Sequence, residues 1–524
     1  MDTFLKPASS HNLLPDRITS GWWVALGFTA LVIRLPFAFD PGLTGDEINY
    51  VLIARCSAGD ILSGAALDPS NPPLFMLLLH YYMKLVEENI SAWKMLPLAM
   101  NLAAIVLMVR LFLRWVPTRV ALFCGMLAAI HPWQVYMATE LRAYALAGLL
   151  TVLILAQADR YAKSGSSAAL VYWALACAAC FWSHYSGAVA ALVSGIYMLV
   201  VLRSRPRQIL ALMVAGAGSL GLMMLWLPSM MTQAINTGGG AEHLWHLAGL
   251  PLVHVLGTTF LRPEVGLFWL AAGGAAAAAA FGFTGILGFI YLLRVNRPVL
   301  MLLSGLFLAT VAVPLIRSGL VGSLSFSSRY TFIANIFPIL LVGCGLSLLR
   351  IPLKVAATAG ILSLSLVSLG LFRWEYLGRQ EVREVVTRTL IQTGDKEAWL
   401  FPNMVTAMRA RFYGDGAFNV AFVSSRDPEE IGIVSRGATW LDVADSRYRS
   451  ESFFDKKSRE LLRSYDTVWY WARHSGDQPE DILGAAFELD RVIVPMKPGS
   501  FGAETPPVMM RFRKIQKGSQ YANR

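Results

Sequence analysis

The sequence predicts an α-helical multi-pass membrane protein with a small α/β domain at its C-terminal end. Of its residues, 55% are hydrophobic and only 15% are charged, with a mean hydropathy of +0.51. About a quarter of the residues of a soluble protein are charged. Apolar runs of about 18 residues or more recur up to residue 373, and runs of this length are typical of membrane-spanning helices. After residue 373 the pattern changes to short apolar strands separated by polar segments.

The basic residues predict how the chain crosses the membrane. Residues 1–373 carry 23 Lys and Arg against 13 Asp and Glu, whereas residues 374–524 carry 22 against 21. Alternate loops between the apolar runs carry the cations, so placing those loops in the cytoplasm satisfies the positive-inside rule. We therefore expect about eleven to thirteen spans, a cytoplasmic N-terminus and a periplasmic C-terminal domain. The predicted spans are 20–39, 93–113, 119–137, 143–160, 168–183, 187–202, 208–228, 266–293, 299–316, 330–349 and 354–373.

The expected domains are a transmembrane catalytic domain, residues 1–373, and a periplasmic α/β domain, residues 374–524. The apolar segment at 71–88 is too short for a full span, so we interpret it as a re-entrant or interfacial helix. It then belongs to one long external loop, residues 40–92. The excess of basic over acidic residues lies in the membrane loops. It therefore predicts no nucleic-acid partner.

Strands and helices are expected to alternate in the C-terminal domain. The predicted strands lie in "EAWLFPN", "NVAFVSS", "DTVWYWAR", "DRVIVPM" and "PVMMRFRK", and the predicted helices in "SFFDKKSRELLRSY" and "PEDILGAAFEL".

Ionisable groups near apolar helix ends are the first candidates for chemistry, because charge at membrane depth is costly. Several such groups fall at helix ends on the predicted external side. Carboxylates can act as general bases, and arginines can bind phosphate. The candidates lie in "GDEINY" (Asp46, Glu47, Tyr50), "ELRAY" (Glu140, Arg142, Tyr144), "HY" (His184, Tyr185), "LRP" (Arg262) and "SRY" (Arg329, Tyr330).

At these positions the sequence resembles the GT-C glycosyltransferases. The resemblance is to the bacterial dolichyl-phosphate-mannose-mannosyltransferase-like branch, which includes protein O-mannosyltransferases and lipid A aminoarabinose transferases. It is carried by the Asp-Glu pair with its following tyrosine, the "PPL" of Pro72–Leu74, and the "ELRAY", "HY" and "SRY" motifs, in family order across residues 20–373. Asn71 stands before "PPL", where the family often has His or a Glu-Lys feature. This departure weakens an aminoarabinose assignment.

The resemblance implies roles for these residues. Asp46 corresponds to the catalytic base, Glu47 to its partner and Glu140 to the acidic residue of the second external loop. Arg329 is implied to lie near the donor phosphate. In the mechanism that we expect, Arg262 is a second cation there, although it belongs to none of the matching motifs. The remaining residues implied to bind the donor phosphate or sugar are Arg142, Tyr144, His184, Tyr185 and Tyr330.

Each of these residues also has a structural interpretation. Asp46 and Glu47 suit the first turn of a helix, where carboxylates cap free N–H groups and favour the helix dipole. Glu140 and Arg142 suit a local ion pair. His184 suits a helix end, and Arg329 an anchor at the membrane interface.

Metal and redox sites are weakly indicated. His243, His246 and His254 give an HxxH spacing without a firm third ligand, which is weak evidence for zinc. Cys177 and Cys180 lie in an apolar segment and are interpreted as packing residues. The sequence identifies no cofactor with certainty. Whether the protein requires a divalent metal ion is left open.

The function expected from the residues and the resemblance is that of a membrane glycosyltransferase. It would move a hexose or pentose from a polyprenyl-phosphate donor to a lipid, glycan or protein hydroxyl at the periplasmic face of the bacterial inner membrane. Its partners are then the donor, the acceptor and the bilayer. The alternatives are a transporter or flippase of lipid-linked saccharides, and a ligase or polymerase that uses a diphosphate donor. A transporter would tend to show inverted repeats, and no internal repeat is apparent in the sequence.

Overall fold

The computed structural model divides into two compact units. One unit comprises Met1–Pro41 and Ala54–Glu375, and the other comprises Gly42–Ile53 and Tyr376–Arg524. The described residues are 20–39, 42–63, 72–86, 89–236, 275–320, 328–377, 397–401, 412, 419–423, 431–434, 465–472, 487–493 and 508–514.

The first unit is helical in its described part, apart from short connections. Its helices, with α2 of the second unit included in chain order, are α1 (Ser20–Ala38), α2 (Gly45–Ala54), α3 (Ala58–Ser63), α4 (Leu74–Leu85), α5 (Ile90–Phe112), α6 (Thr118–Ile130), α7 (Pro132–Thr139), α8 (Tyr144–Ser164), α9 (Ser167–Ser183), α10 (Gly187–Val201), α11 (Pro206–Met224), α12 (Leu227–Asn236), α13 (Ala275–Val295), α14 (Arg297–Leu320), a 3-10 helix (Ser328–Ala334), α15 (Ile336–Leu348) and α16 (Ile351–Leu377).

The predicted multi-pass helical class is confirmed. Seven helices of the described chain are long and apolar enough to cross a membrane, or eight if α6 and α7 count as one bent span. Four shorter apolar helices accompany them: Leu74–Leu85, Ser167–Ser183, Gly187–Val201 and Ala279–Val295. The 71–88 segment does form a helix, α4, and its re-entrant or interfacial position stays a prediction.

One predicted span is broken in the structure. Residues 119–137 were expected to form one helix, but α6 ends at Ile130 and α7 starts at Pro132, with a bend of 54° between them. Proline lacks an N–H group and disfavours helical geometry at the preceding residue, so the helix breaks before Pro132. His131 caps the new helix, because its Nδ1 accepts a hydrogen bond from the backbone N–H of Trp133 at 3.2 Å.

Close packing of small residues joins α13 to α15. A Cβ on Gly288 would collide with the backbone carbonyl of Leu341, and a Cβ on Gly345 would collide with that of Thr284. Small residues let membrane helices approach this closely. All five cysteines of the chain are buried and free of disulfides, in keeping with the packing role expected for Cys177 and Cys180.

The second unit contains a six-stranded sheet. The strands are β1 (Glu397–Phe401), β2 (Asn419–Val423), β3 (Ile431–Val434), β4 (Thr467–Ala472), β5 (Phe487–Ile493) and β6 (Val508–Lys514). Their order in the sheet is β3-β2-β1-β4-β6-β5, with β1 parallel to β2 and β4, and the other pairings antiparallel. Trp399 and Trp469 stack on neighbouring strands, with ring centroids 5.6 Å apart.

The strand predictions agree with the structure in five places and fail in two. Strand β3 was not predicted, since four residues give too short a pattern to recognise. Phe487–Leu489 were assigned to a helix but begin β5, where Glu488 pairs with Arg513 and Leu489 with Phe512 of β6. Pairing with a neighbouring strand overrides a weak helical pattern here.

Candidate active site

The paired carboxylates of the first loop lie at the start of α2 and differ sharply in environment. Glu47 is fully buried, whereas Asp46 is exposed. The Glu47 Oε2 atom accepts a hydrogen bond from the Thr44 backbone N–H at 2.7 Å, and Thr44 Oγ1 accepts one from the Glu47 N–H at 3.2 Å. This reciprocal pair is a capping box. Glu47 therefore stabilises the helix start, while Asp46 faces solvent one residue earlier.

The "ELRAY" residues lie at the connection between α7 and α8. The Glu140 N–H closes the last turn of α7 by donating to the Tyr136 carbonyl, and the Arg142 N–H donates to the Glu140 carbonyl at 2.8 Å. Glu140 and Arg142 are both buried, with exposed fractions of 1% and 9%. Both are thus charged groups held inside the first unit by a tight turn.

Tyr144 is the centre of an aromatic cluster. The guanidinium carbon of Arg142 lies 4.7 Å from the centroid of the Tyr144 ring, which is cation–π geometry. The Tyr144 centroid is 5.0 Å from that of Phe332 and 5.9 Å from that of His184, and Phe332 and His184 are 5.0 Å apart. The structure therefore brings Arg142, Tyr144 and His184 together.

His184 is held in one orientation by its own turn. It caps the end of α9, and its Nδ1 accepts a hydrogen bond from the Ser186 backbone N–H at 3.2 Å and lies 2.8 Å from Ser186 Oγ. A nitrogen that accepts from a backbone N–H carries no hydrogen itself, so the hydrogen of the neutral ring is on Nε2. The helix-end interpretation of His184 thus holds, and it leaves the outer ring nitrogen as a donor.

Tyr185 follows His184 in the same turn and has contacts of its own. Its hydroxyl accepts a hydrogen bond from Trp226 Nε1 at 3.1 Å, and its ring packs against Phe181 with centroids 5.7 Å apart. These contacts tie α9 to the residues between α11 and α12. They give Tyr185 a packing role beside any role toward a ligand.

A small cavity lies beside the aromatic cluster. Its volume is about 20 Å³, enough for about one water molecule. The amides of Asn101 and Gln134 and the rings of Tyr144 and Phe332 line it, together with apolar side chains and Gly148. No charged side chain lines this cavity among the described residues, so its walls suit a neutral polar group.

Sequence reasoning missed Phe332 and the buried polar residues Arg34, Asn101, Gln134 and Asn335. Phe332 carries no motif of its own and is recognised only through its ring contacts. Arg34 did give a signal, since it is a charged residue well inside the apolar helix α1.

The remaining predicted residues are only partly described. Arg329 and Tyr330 lie in the 3-10 helix Ser328–Ala334. Arg262 and the three histidines at 243, 246 and 254 lie outside the described residues. Within the described part of the chain, no group of three or more His, Cys, Asp or Glu residues could hold a metal ion.

Solved structures share this architecture, and ArnT is among them. ArnT from Cupriavidus metallidurans in the apo state is 15% identical, with a TM-score of 0.57, and the match covers 94% of this chain and 98% of that chain. The same protein bound to undecaprenyl phosphate is 14% identical, with a TM-score of 0.56 and the same coverage. No protein-family model and no curated protein matches the chain.

The match spans nearly the full length of both chains. ArnT is a GT-C glycosyltransferase. The motifs "DE", "ELRAY", "HY" and "SRY" predicted the same group from the sequence. This chain therefore has the fold of the GT-C glycosyltransferases.

Proposed function

We propose that the protein is an integral membrane glycosyltransferase that uses a polyprenyl-phosphate-linked sugar. Its acceptor is a hydroxyl group of a lipid, glycan or protein at the periplasmic face of the bacterial inner membrane. The observation that carries this proposal is the full-length likeness to ArnT, whose structure has been solved with undecaprenyl phosphate bound. The membrane-spanning helices and the motif residues support it.

The proposed reaction is a direct displacement. The acceptor oxygen attacks the anomeric carbon and forms the new glycosidic bond, while the bond from that carbon to the phosphate oxygen breaks. The sugar configuration inverts, polyprenyl phosphate leaves, and the hydroxyl proton passes to the Asp46 carboxylate, which acts as general base. The exposure of Asp46 supports this assignment over Glu47, whose carboxylate serves the capping box.

The other roles follow from charge and contact. We assign donor-phosphate binding to Arg329 and Arg142, because guanidinium groups form paired hydrogen bonds with phosphate oxygens. Tyr144 orients Arg142 through the cation–π contact. His184 is assigned to the donor side as a neutral hydrogen-bond donor through Nε2, as its contacts with Ser186 indicate.

Replacing Asp46 with Asn tests the proposal. Purified protein would be mixed with undecaprenyl-phosphate sugars and membrane lipids, and the release of undecaprenyl phosphate would be measured. We expect Asp46→Asn to lower the rate about 10²- to 10⁴-fold, which is the range of general-base catalysis. Glu47→Gln is the matched control, because Gln also serves at the third position of a capping box.

Two results would contradict the proposal. Full activity of Asp46→Asn would remove the base assignment. Movement of intact lipid-linked sugar across vesicle membranes, with no release of polyprenyl phosphate, would identify a flippase instead.

A further inference from the structure

Arg34 is a cation with no exposed surface, about one turn before the C-terminal end of the apolar helix α1. Its Nη1 donates to the carbonyl oxygens of Ala30 at 2.9 Å and of Ala129 at 2.6 Å. Its Nε donates to Asn101 Oδ1 at 3.0 Å. The side chain thus joins α1 to α5 and to the end of α6 through neutral oxygen atoms.

The hydrogen bonds continue from Asn101 as a chain of side-chain amides. Asn101 Nδ2 donates to Gln134 Oε1 at 3.0 Å, and Gln134 Nε2 donates to Asn335 Oδ1 at 3.0 Å. We call Arg34, Asn101, Gln134 and Asn335 the amide relay. Each member is at most 4% exposed, so these bonds are shielded from competition by bulk water.

The hydrogen bonds of the amide relay all run in one direction, with each residue from Arg34 to Gln134 donating to the next. Arginine only donates hydrogen bonds, so Arg34 requires the oxygen of Asn101 to face it. The Asn101 amino group must then face Gln134, and the same constraint passes on to Asn335. The orientation of every amide therefore depends on Arg34.

Asn335 connects this chain to a motif helix. It directly follows the 3-10 helix Ser328–Ala334, which contains Arg329 and Tyr330. Its N–H donates to the Phe332 carbonyl at 3.2 Å, and its own carbonyl accepts from the Ile339 N–H at 3.4 Å, at the start of α15. A change in the position of Asn335 would therefore be transmitted to both helices.

Stability alone does not account for Arg34. Burying a charged group costs several kcal/mol, and apolar replacements of buried charges are often neutral or stabilising. Among the described residues, Arg34 Nη2 also has no hydrogen-bond partner, which adds to the cost of burial.

We propose that Arg34 is a positioning residue that acts through Asn101, Gln134 and Asn335 to hold the 3-10 helix Ser328–Ala334 in place for binding of the donor phosphate. The part that concerns the phosphate rests on the proposed function. The part that concerns the 3-10 helix does not.

Hydrogen exchange in the full-length protein tests the structural part. Arg34→Met removes the first donor, and Gln134→Met cuts the relay at its centre without removing a charge. We expect the backbone amide hydrogens of residues 328–336 to exchange faster in both variants than in the wild type. Arg110→Met is the matched control, because the exposed Arg110 lies on α5 near Trp23 and outside the relay. It should leave these amides unchanged.

Binding of undecaprenyl phosphate tests the functional part. We expect Arg34→Met and Gln134→Met to raise its Kd about five- to tenfold, the scale of coupling within one hydrogen-bond network. Arg34→Lys keeps the charge and a donor, so it should recover much of the loss, and Arg110→Met should bind as the wild type does.

The outcomes separate the two proposals. Unchanged exchange at 328–336, or equally faster exchange throughout the protein, would overturn the relay. Changed exchange there with unaltered Kd values would overturn its role in phosphate binding. A wild-type protein that fails to bind undecaprenyl phosphate would contradict the proposed function, while the exchange data would still decide whether the relay holds the 3-10 helix.

Discussion

At the scale of single residues, the adjacent carboxylates Asp46 and Glu47 lie in different environments. Glu47 is buried and bonded to Thr44, whereas Asp46 is exposed. The sequence allowed a catalytic and a capping role for both carboxylates, since acidic residues in the first turn of a helix can satisfy its free N–H groups. Burial separates them, and burial depends on tertiary packing that a local motif does not encode.

The capping box predicts a stability effect without a chemical one. Thr44→Val removes the oxygen that accepts from the Glu47 N–H, so it should lower the free energy of unfolding by about 1 kcal/mol. Thermal unfolding in detergent would measure the loss. Thr44→Ser keeps the hydroxyl and is the control. Equal stability of the Val and Ser variants would argue against the cap.

Cys56 provides a prediction about pH. Burial raises the pKa of the Cys56 thiol, and the nearby Asp60 carboxylate raises it further. A raised pKa means less thiolate at a given pH, and the thiolate is the reactive form. Labelling of Cys56 by a maleimide at pH 7.5 should therefore be slower than that of an ordinary cysteine, and should accelerate as the pH rises toward the raised pKa.

Asp60→Asn isolates the electrostatic part of this effect. It removes the negative charge, while the Asn side-chain oxygen can still accept the hydrogen bond that the Ser57 hydroxyl now donates to Asp60, and the backbone N–H of residue 60 can still donate to Ser57 Oγ. Labelling should become faster than in the wild type at the same pH. An unchanged rate would mean that burial alone controls the thiol.

At the scale of elements, the sequence predicted helices better than their interruptions. The spans around α5 and α8 agree with the structure to within a few residues, because long apolar runs leave little choice in a membrane. The break at Pro132 was within an apolar stretch and was missed, although proline itself was the available signal. The amide relay was missed because Asn101 lies on α5, Gln134 on α7 and Asn335 just before α15, so they meet only in three dimensions.

The close contact between α13 and α15 predicts that one added methyl group at Gly345 lowers stability. Gly345→Ala places a Cβ against the carbonyl of Thr284, so it should lower the free energy of unfolding by about 1–3 kcal/mol. Gly360→Ala in α16 is the control, since a Cβ there meets nothing within 4 Å and alanine favours helices. A comparison of Tm values in detergent would measure both, and an unchanged Tm for Gly345→Ala would contradict the close contact.

At the scale of the whole molecule, hydropathy and charge were enough to predict the fold class. They could not identify the sugar or the acceptor, because such specificity depends on a few side chains in a site. The strands of the C-terminal unit were largely predictable from apolar runs, but their order, β3-β2-β1-β4-β6-β5, was not. Strand order depends on pairings between distant segments, for which one sequence gives no direct signal.

The membrane topology remains a prediction that fusion proteins would check. Alkaline phosphatase is active only outside the cytoplasm, so its fusion after Trp374 should be active. Fusion within the basic loop Arg203–Arg207 should be inactive, because that loop is predicted to be cytoplasmic. The reverse pattern would invert the orientation and place the Asp46 loop inside the cell.

The two glycine contacts between α13 and α15 also bear on motion. At Gly288 and at Gly345 backbone lies against backbone, so at these two points no side chain can change its rotamer to let one helix slide past the other. Shear between packed helices usually proceeds through such small side-chain adjustments. We therefore expect α13 and α15 to move together if the helical unit opens or closes.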